Sequence, residues 1–323
     1  MHPAFAVYLG WVVISILVCR TRSGAMTYLF TMSAAVFAFF SSRYLDRTTT
    51  ERFFFGLSLA LLVYGFYQKL VLFPRLGELP RTAFLPGISD YAERGRVNGT
   101  YESPNILVLM AMLSAYPFLV KKRYGLPALI SILIAGLFLT RSFSAVLAFL
   151  FLAGSFPMNR KRLLAAALTV AAITVILLLT RKADLRISDP HNPVVMRVKN
   201  FSTGMNIFFK SPIIGHGIGS FTDLHQKYKD PDSNDIRFAH NIVIQHLTDG
   251  GIVFLGCFIY LAVFLYLNTS PPGRAVLLAV IAHNMVEFSF YSSSVMVFLF
   301  FLCGAYGQKH LSFSDETVAP RQR

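Results

Sequence analysis

The sequence predicts an all-α polytopic membrane protein with about ten transmembrane helices and one large outer loop carrying an amphipathic helix. Three observations point there. Of the 323 residues, 54% are hydrophobic and 14% charged, with a mean hydropathy of +0.55, outside the range of soluble globular chains. Apolar stretches long enough to cross a ~30 Å hydrocarbon core recur along the chain. Between several of them lie short basic connections, the pattern of cytoplasmic loops. The net charge of +14 reflects that bias together with affinity for anionic membrane lipids. Basic residues scattered over short loops, with no continuous stripe, argue against nucleic acid as a partner.

Ten spans follow in order, at 4–19, 26–42, 53–73, 104–120, 126–140, 142–157, 163–180, 251–268, 275–291 and 293–307. The opening residues lack a basic leader and run into more apolar sequence, so they read as a first span and not as a cleaved signal. The stretch 126–157 is too long for one helix. Thr140, Arg141 and Ser142 at its middle would be costly at bilayer depth, so a tight turn between two helices is predicted there. Cys19, Cys257 and Cys303 all fall in apolar stretches and indicate neither a disulfide framework nor a metal site.

Orientation follows from the basic clusters. Arg43, Arg47 and Arg52, then Lys121 to Arg123, then Arg160 to Arg162 belong on the cytoplasmic side. Segment 74–103, the turn at 140–142 and the loop 181–250 then share the outer face, with both termini inside. Arg20 and Arg22 fall outside, against the same rule. The whole of 1–323 reads as one integral membrane domain, with 181–250 as its outer loop and 312–323 as a polar, disordered tail.

The outer loop has internal order. Val194, Val198, Phe201, Met205 and Phe208 keep a three-to-four spacing, with Arg197, Lys199 and Lys210 among them. Such a helix lies in the interface, apolar side toward lipid and cations toward head groups. It ends at Ser211 and Pro212. Gly215, Gly217 and Gly219 then form a flexible turn, and a polar run leads to His240 and Asn241.

Water and lipid head groups meet at such a face, so its chemistry is expected to act on a charged group carried by a lipid. A diphosphate leaving group gains charge as its bond to a sugar breaks, and guanidinium forks bind phosphate oxygens in pairs. Arg141 and Arg197 are placed for that, with Arg96 in reserve. A sugar hydroxyl is a poor nucleophile, and a nearby base gains roughly 10²–10⁴-fold. His240, where the loop meets the membrane, has the right chemistry. The glycine turn offers backbone N–H groups to phosphate.

Four segments stand out together: Arg96, Gly99, Thr100, Pro104 and Asn105; Thr140 to Ser142; Arg197 followed by Pro212, Gly215 and Gly217; and His240 with Asn241, ahead of Gly250 and Gly251. Their order over 96–291 resembles the O-antigen ligase and polymerase superfamily of bacterial membrane glycosyltransferases. The resemblance implies transfer of a glycan from an undecaprenyl (polyprenyl) diphosphate carrier to an acceptor hydroxyl on lipid A-core, another glycan or a protein. It also implies that no cofactor or metal takes part, and that the site faces outward from the bacterial inner membrane. By motif position, His240 corresponds to the family's essential histidine and Arg197 to the arginine opening its loop helix. The sequence departs where relatives carry Ser-Arg: here Phe143 follows Ser142 and the arginine precedes it as Arg141. The N-terminal part is also shorter, as though a helix pair were missing.

Each residue has a plainer reading. His240 can also be read as a helix-start histidine and Arg197 as a snorkelling cation, with function favoured at both, whereas Arg96 reads first as a loop arginine. The glycines read as a connector, since Gly-x-Gly-x-Gly without a preceding strand is no dinucleotide fingerprint. His191 and Asn192 repeat the His-Asn pair but precede a proline and no span, and His216 and His225 match no zinc spacing. His283 and Glu287, at i and i+4 of the ninth span, are expected on one helix face, with Glu287 as a support residue. A lipid or polysaccharide transporter would instead spread ionisable groups through several spans near the midplane. A scaffold gives no reason for arginines and a histidine to share a face. Ligase and polymerase share all these motifs.

Overall fold

A computed structural model describes residues 2–18, 22–76, 95–156 and 193–307, together with isolated positions at 92, 164, 168, 169, 171, 172 and 175. The predicted span 163–180 has few described positions. The cluster 160–162, the dipeptide His191 and Asn192, Cys19, Arg20 and the tail 312–323 lie outside the described residues.

The described residues form helices and no strand; a single bridge joins Thr269 and Gly307. In order these are α1 (Pro3–Val18), α2 (Arg22–Ser41), α3 (Arg47–Tyr67, prolonged through a π-turn to Leu76), α4 (Pro104–Leu119), α5 (Gly125–Thr140) and α6 (Phe143–Gly154). The loop contributes α7 (Pro193–Phe208) and α8 (Phe221–Tyr228). Then come α9 (Ile242–Asn268), α10 (Pro271–His283) and α11 (Ser293–Ala305). Three helices, Gly24–Tyr44, Arg47–Leu76 and Ile242–Asn268, are long and apolar enough to cross a membrane; shorter apolar helices accompany them.

Helix α4 is the hub. Ser103 caps its start, Pro104 occupies its first turn, and every position except Phe118 is buried. A helix apolar all round belongs at a bundle centre. Gly136 of α5 abuts Val108 so closely that a Cβ would lie 2.3 Å from it, the small-residue contact that lets membrane helices approach.

The connections segregate to two ends. At one end Glu51 is buried among Arg47 (3.2 Å), Lys121 (2.8 Å) and the Tyr306 hydroxyl, beside the turns at 42–46, 120–124 and 269–270. The other end holds 95–103, 140–142, 209–241 and 284–292. Val97 donates to the Leu139 carbonyl there, and Ile218 donates to Ser15 at the end of α1. Helix α2 also starts at this end, with Gly24 against Gly219, which is where Arg22 was expected.

Two predicted elements change shape. The eighth span starts earlier, at Ile242, and breaks at Gly250 and Gly251, whose φ of −141° and +65° are non-helical. The ninth ends at His283, so His283 and Glu287 do not share a helix face; Glu287 sits in the following turn. Asn284 explains the stop, donating to the Val280 carbonyl and accepting from the Phe290 N–H (2.7 Å).

Candidate functional site

The loop is a folded module. Ile207, Phe221 and Ala239 form its small core, packed by Leu224, Tyr228, Ile236 and Ile244. Asn200 of α7 accepts hydrogen bonds from His225 (3.2 Å) and Ser233 (2.8 Å), tying α7 to the polar run. Helix α7 buries Met196, Asn200, Thr203, Gly204 and Ile207, and Gly204 lies against Ile244 of α9. The predicted stripe lies on its other side: Val198 is 62% exposed, and Phe201, Met205 and Phe208 are half-buried. That is the arrangement an interfacial helix needs, one face on protein and an apolar one outward.

This docking sets Arg197 beside Glu287. The carboxylate is 2% exposed. Its Oε1 accepts from Arg197 Nη2 at 2.7 Å and Asn105 Nδ2 at 2.5 Å, and its Oε2 lies 3.6 Å from His240 Nδ1. At that distance the histidine contact is electrostatic and not a normal hydrogen bond. Burial pushes the Glu287 carboxyl up, but its interaction with His240 and the charges of Arg197, His240 and His283 more than offset this and hold it below the ordinary range.

His240 is held from all sides of its short arm. Its φ is +52°, in the left-handed region that a non-glycine residue adopts at a cost. Ala239 N–H donates to Gln245 (2.7 Å) on one side of it. On the other, Asn241 caps α9 through the Val243 and Ile244 N–H groups and donates to the Met285 carbonyl. Phe288 sets its edge against the imidazole, centroids 5.0 Å apart. The plainer reading of a helix-start histidine thus passes to Asn241.

Arg96 reaches the same cluster indirectly. It donates to the Thr140 carbonyl (2.9 Å) and to Asn105 Oδ1 (3.0 Å), so its guanidinium orients Asn105 toward Glu287. These bonds set Arg96 behind Asn105, at the end of the bundle where its diphosphate contact was expected. Arg141 caps α5 with φ +52° and is exposed in the 140–142 turn, on this end of the bundle. Ser142 and Ser144 lead from that turn to His283, and His283 bonds Ser289 (2.9 Å).

The glycine turn is committed to packing. N–H groups of Gly215, His216, Gly217 and Ile218 donate to Ser211, Thr248, Asp249 and Ser15. Ile252 N–H returns a bond to Pro212 (2.9 Å). The segment is laced into the α9 break: a Cβ on Gly251 would stand 2.2 Å from the Ile213 carbonyl, and one on Gly215 would stand 2.4 Å from Gly250 N. The N–H groups of Gly215 and Gly217, expected to meet phosphate, are used inside the protein, and the segment forms a structural clasp whose glycines allow the close approach and positive φ.

Asn105 is the residue missed as a site member, although the Pro104–Asn105 signal lay in the sequence. Gln245, which steadies the arm before His240, left no signal beyond its place after the apolar Ile242 to Ile244. Among the described residues, no group of three or more His, Cys, Asp or Glu is placed to hold a metal ion.

Residues 127–259 match the family model described as O-antigen ligase. The matched segment contains Arg141, Arg197, the glycine clasp, His240 and Asn241, and supports the superfamily that the four sequence segments resemble. Members of this membrane family are glycosyltransferase-like enzymes, ligases or polymerases. No curated protein matches the chain.

Proposed function

We propose that this member of the O-antigen ligase and polymerase superfamily moves a glycan from an undecaprenyl diphosphate carrier to an acceptor hydroxyl. It does so without metal, on the outer face of the bacterial inner membrane, in a domain of ten spans whose 181–250 loop carries the site. The observation that carries the reading is the convergence on Glu287 of Arg197, Asn105 and His240 from separate segments at one end of the bundle.

The geometry suits a single displacement. Glu287 beside Nδ1 favours the tautomer with its proton there, leaving Nε2 to accept the proton of the acceptor hydroxyl. The acceptor oxygen bonds the anomeric carbon as the bond to the carrier oxygen breaks. Its electron pair leaves with the diphosphate, whose growing charge Arg197 and Arg141 meet. One such step inverts the anomeric centre. Retention, read by NMR of the product, would remove the one-step mechanism.

The decisive assay is transfer by purified protein from a polyprenyl diphosphate-linked oligosaccharide, with EDTA present. Wild type should transfer. His240→Ala should not, while accumulating in the membrane at normal levels. Equal activity in both would remove His240 as the base. A polymerase that joins repeat units is the alternative within the same chemistry. A transporter without catalysis would leave no transferred product with any acceptor.

A further inference from the structure

Near His240, across the Phe238 and Phe288 rings, lies a cavity of about 370 Å³. This lies at the lower end of the roughly 300–1,000 Å³ typical of small-molecule pockets. Its walls come from the start of α2, the glycine clasp, the start of α8 and the first turns of α9. No residue proposed to act in transfer lines it.

Its chemistry is specific. Asp249, 1% exposed, accepts two bonds from the Gln245 amide at 3.1 and 3.0 Å. The oxygen of the same amide holds Ala239, next to His240. Behind the cavity, Tyr28 bonds Tyr8 (2.6 Å), Tyr8 bonds His246 (2.9 Å) and His246 meets Tyr291 (3.2 Å). Phe238 stacks on Phe288 with ring planes 13° apart and contributes the cavity's aromatic wall together with Tyr291. Thr222 and Arg237 complete it.

An acyl chain here would return no hydrogen bond to Thr27, Thr31, Thr222 and Arg237 in the cavity wall. A phosphate would meet the carboxylates of Asp249 and Asp223. A neutral ring with many hydroxyls suits both the aromatic faces and the polar groups. We propose that this cavity is a carbohydrate subsite, holding a sugar unit of the donor or the acceptor glycan next to His240. The proposal rests on the glycosyltransferase reading, and Gln245 links the subsite directly to the His240 arm.

The test uses full-length protein in detergent and, as probe, oligosaccharides released by mild acid from the lipid-linked pool of the producing cells. They lack carrier and diphosphate. Saturation-transfer NMR should show them binding to wild type. Thr222→Trp and Thr27→Trp, which fill the cavity from two different helices, should abolish that signal. Both should still bind sugar-free undecaprenyl diphosphate, which also shows that they are folded. In the transfer assay the KM for one glycan should rise at least about tenfold in both variants. Which of the two KM values rises identifies the donor or the acceptor as the occupant. As a check that needs no bulky residue, the same oligosaccharides should slow maleimide labelling of Thr222→Cys. Undiminished NMR signal, unchanged KM values or unprotected Cys labelling would overturn the subsite while leaving transfer intact. A wild type that neither binds the carrier nor transfers would instead remove the functional reading beneath it.

Discussion

Glu287 joins the two residues singled out most strongly in the sequence, and its neutral isostere separates charge from shape. Glu287→Gln keeps an acceptor for Arg197 but removes the charge that sets the His240 tautomer, so transfer should fall by about 10²-fold or more. Full activity in that variant would show that Glu287 does not orient His240. Because its carboxyl is held below the ordinary range, the stability it contributes is present above that range and lost as pH falls through the lowered value. Thermal unfolding at pH 7 and pH 4 should therefore show a smaller acid-induced loss in Glu287→Gln than in wild type. Arg197→Lys should lose nearly as much transfer as Arg197→Ala, since an ammonium cannot reproduce a forked contact. A lysine variant close to wild type would reduce Arg197 to a point charge. The common end of the bundle that His240, Arg197 and Arg141 share was legible from residue chemistry at a membrane face. The roles of Asn105 and Gln245 were not, because an uncharged amide acquires one only from the neighbours that folding brings to it.

The loop module, α7, α8 and the run between them, has its own pH response. Burial, and after it the charge of Lys229, hold His225 below its ordinary range. A histidine kept neutral in the fold contributes stability above its unfolded pKa of about 6.5, and that contribution is lost as pH falls below it. Hydrogen-exchange protection factors across 200–236, corrected for the pH dependence of intrinsic exchange, should fall between pH 7.5 and pH 5.5, and His225→Gln should flatten the change. An unchanged wild-type profile would remove His225 as the module's weak point. Periodicity located α7 and its outward stripe. It did not show that the opposite face, with Asn200, Thr203 and Gly204, packs on α9, since small and polar residues look solvent-facing in a sequence. The break at Gly250 was hidden for a related reason: two glycines next to an apolar run read as a helix start until the Pro212–Gly217 clasp is seen to occupy them.

At the scale of the whole molecule, the two ends of the bundle differ in kind. One is short-looped and basic around Glu51; the other carries the loop module and both clusters. In a version with Cys19, Cys257 and Cys303 replaced by Ala, an impermeant maleimide should label Asp232→Cys in intact cells. Lys122→Cys should react only after permeabilisation. The reverse pattern would invert the proposed orientation and take the site away from the outer face.

The sequence by itself determined the helical membrane class, the grouping of connections at two ends and the chemical types gathered at one of them. Each follows from local quantities: apolar length against bilayer thickness, charge in short turns, and the rarity of arginine and histidine beside lipid. Tertiary structure alone decided that Glu287 leaves its helix to join Arg197 and His240, that Arg96 acts through Asn105, and that the glycine turn clasps a broken helix. It alone also opened the cavity beside Asp249. These depend on contacts between segments far apart in the chain, 182 residues from Asn105 to Glu287 and 203 from Ser15 to Ile218. A buried carboxylate is stable only where such distant partners meet it, and no local pattern records where that is.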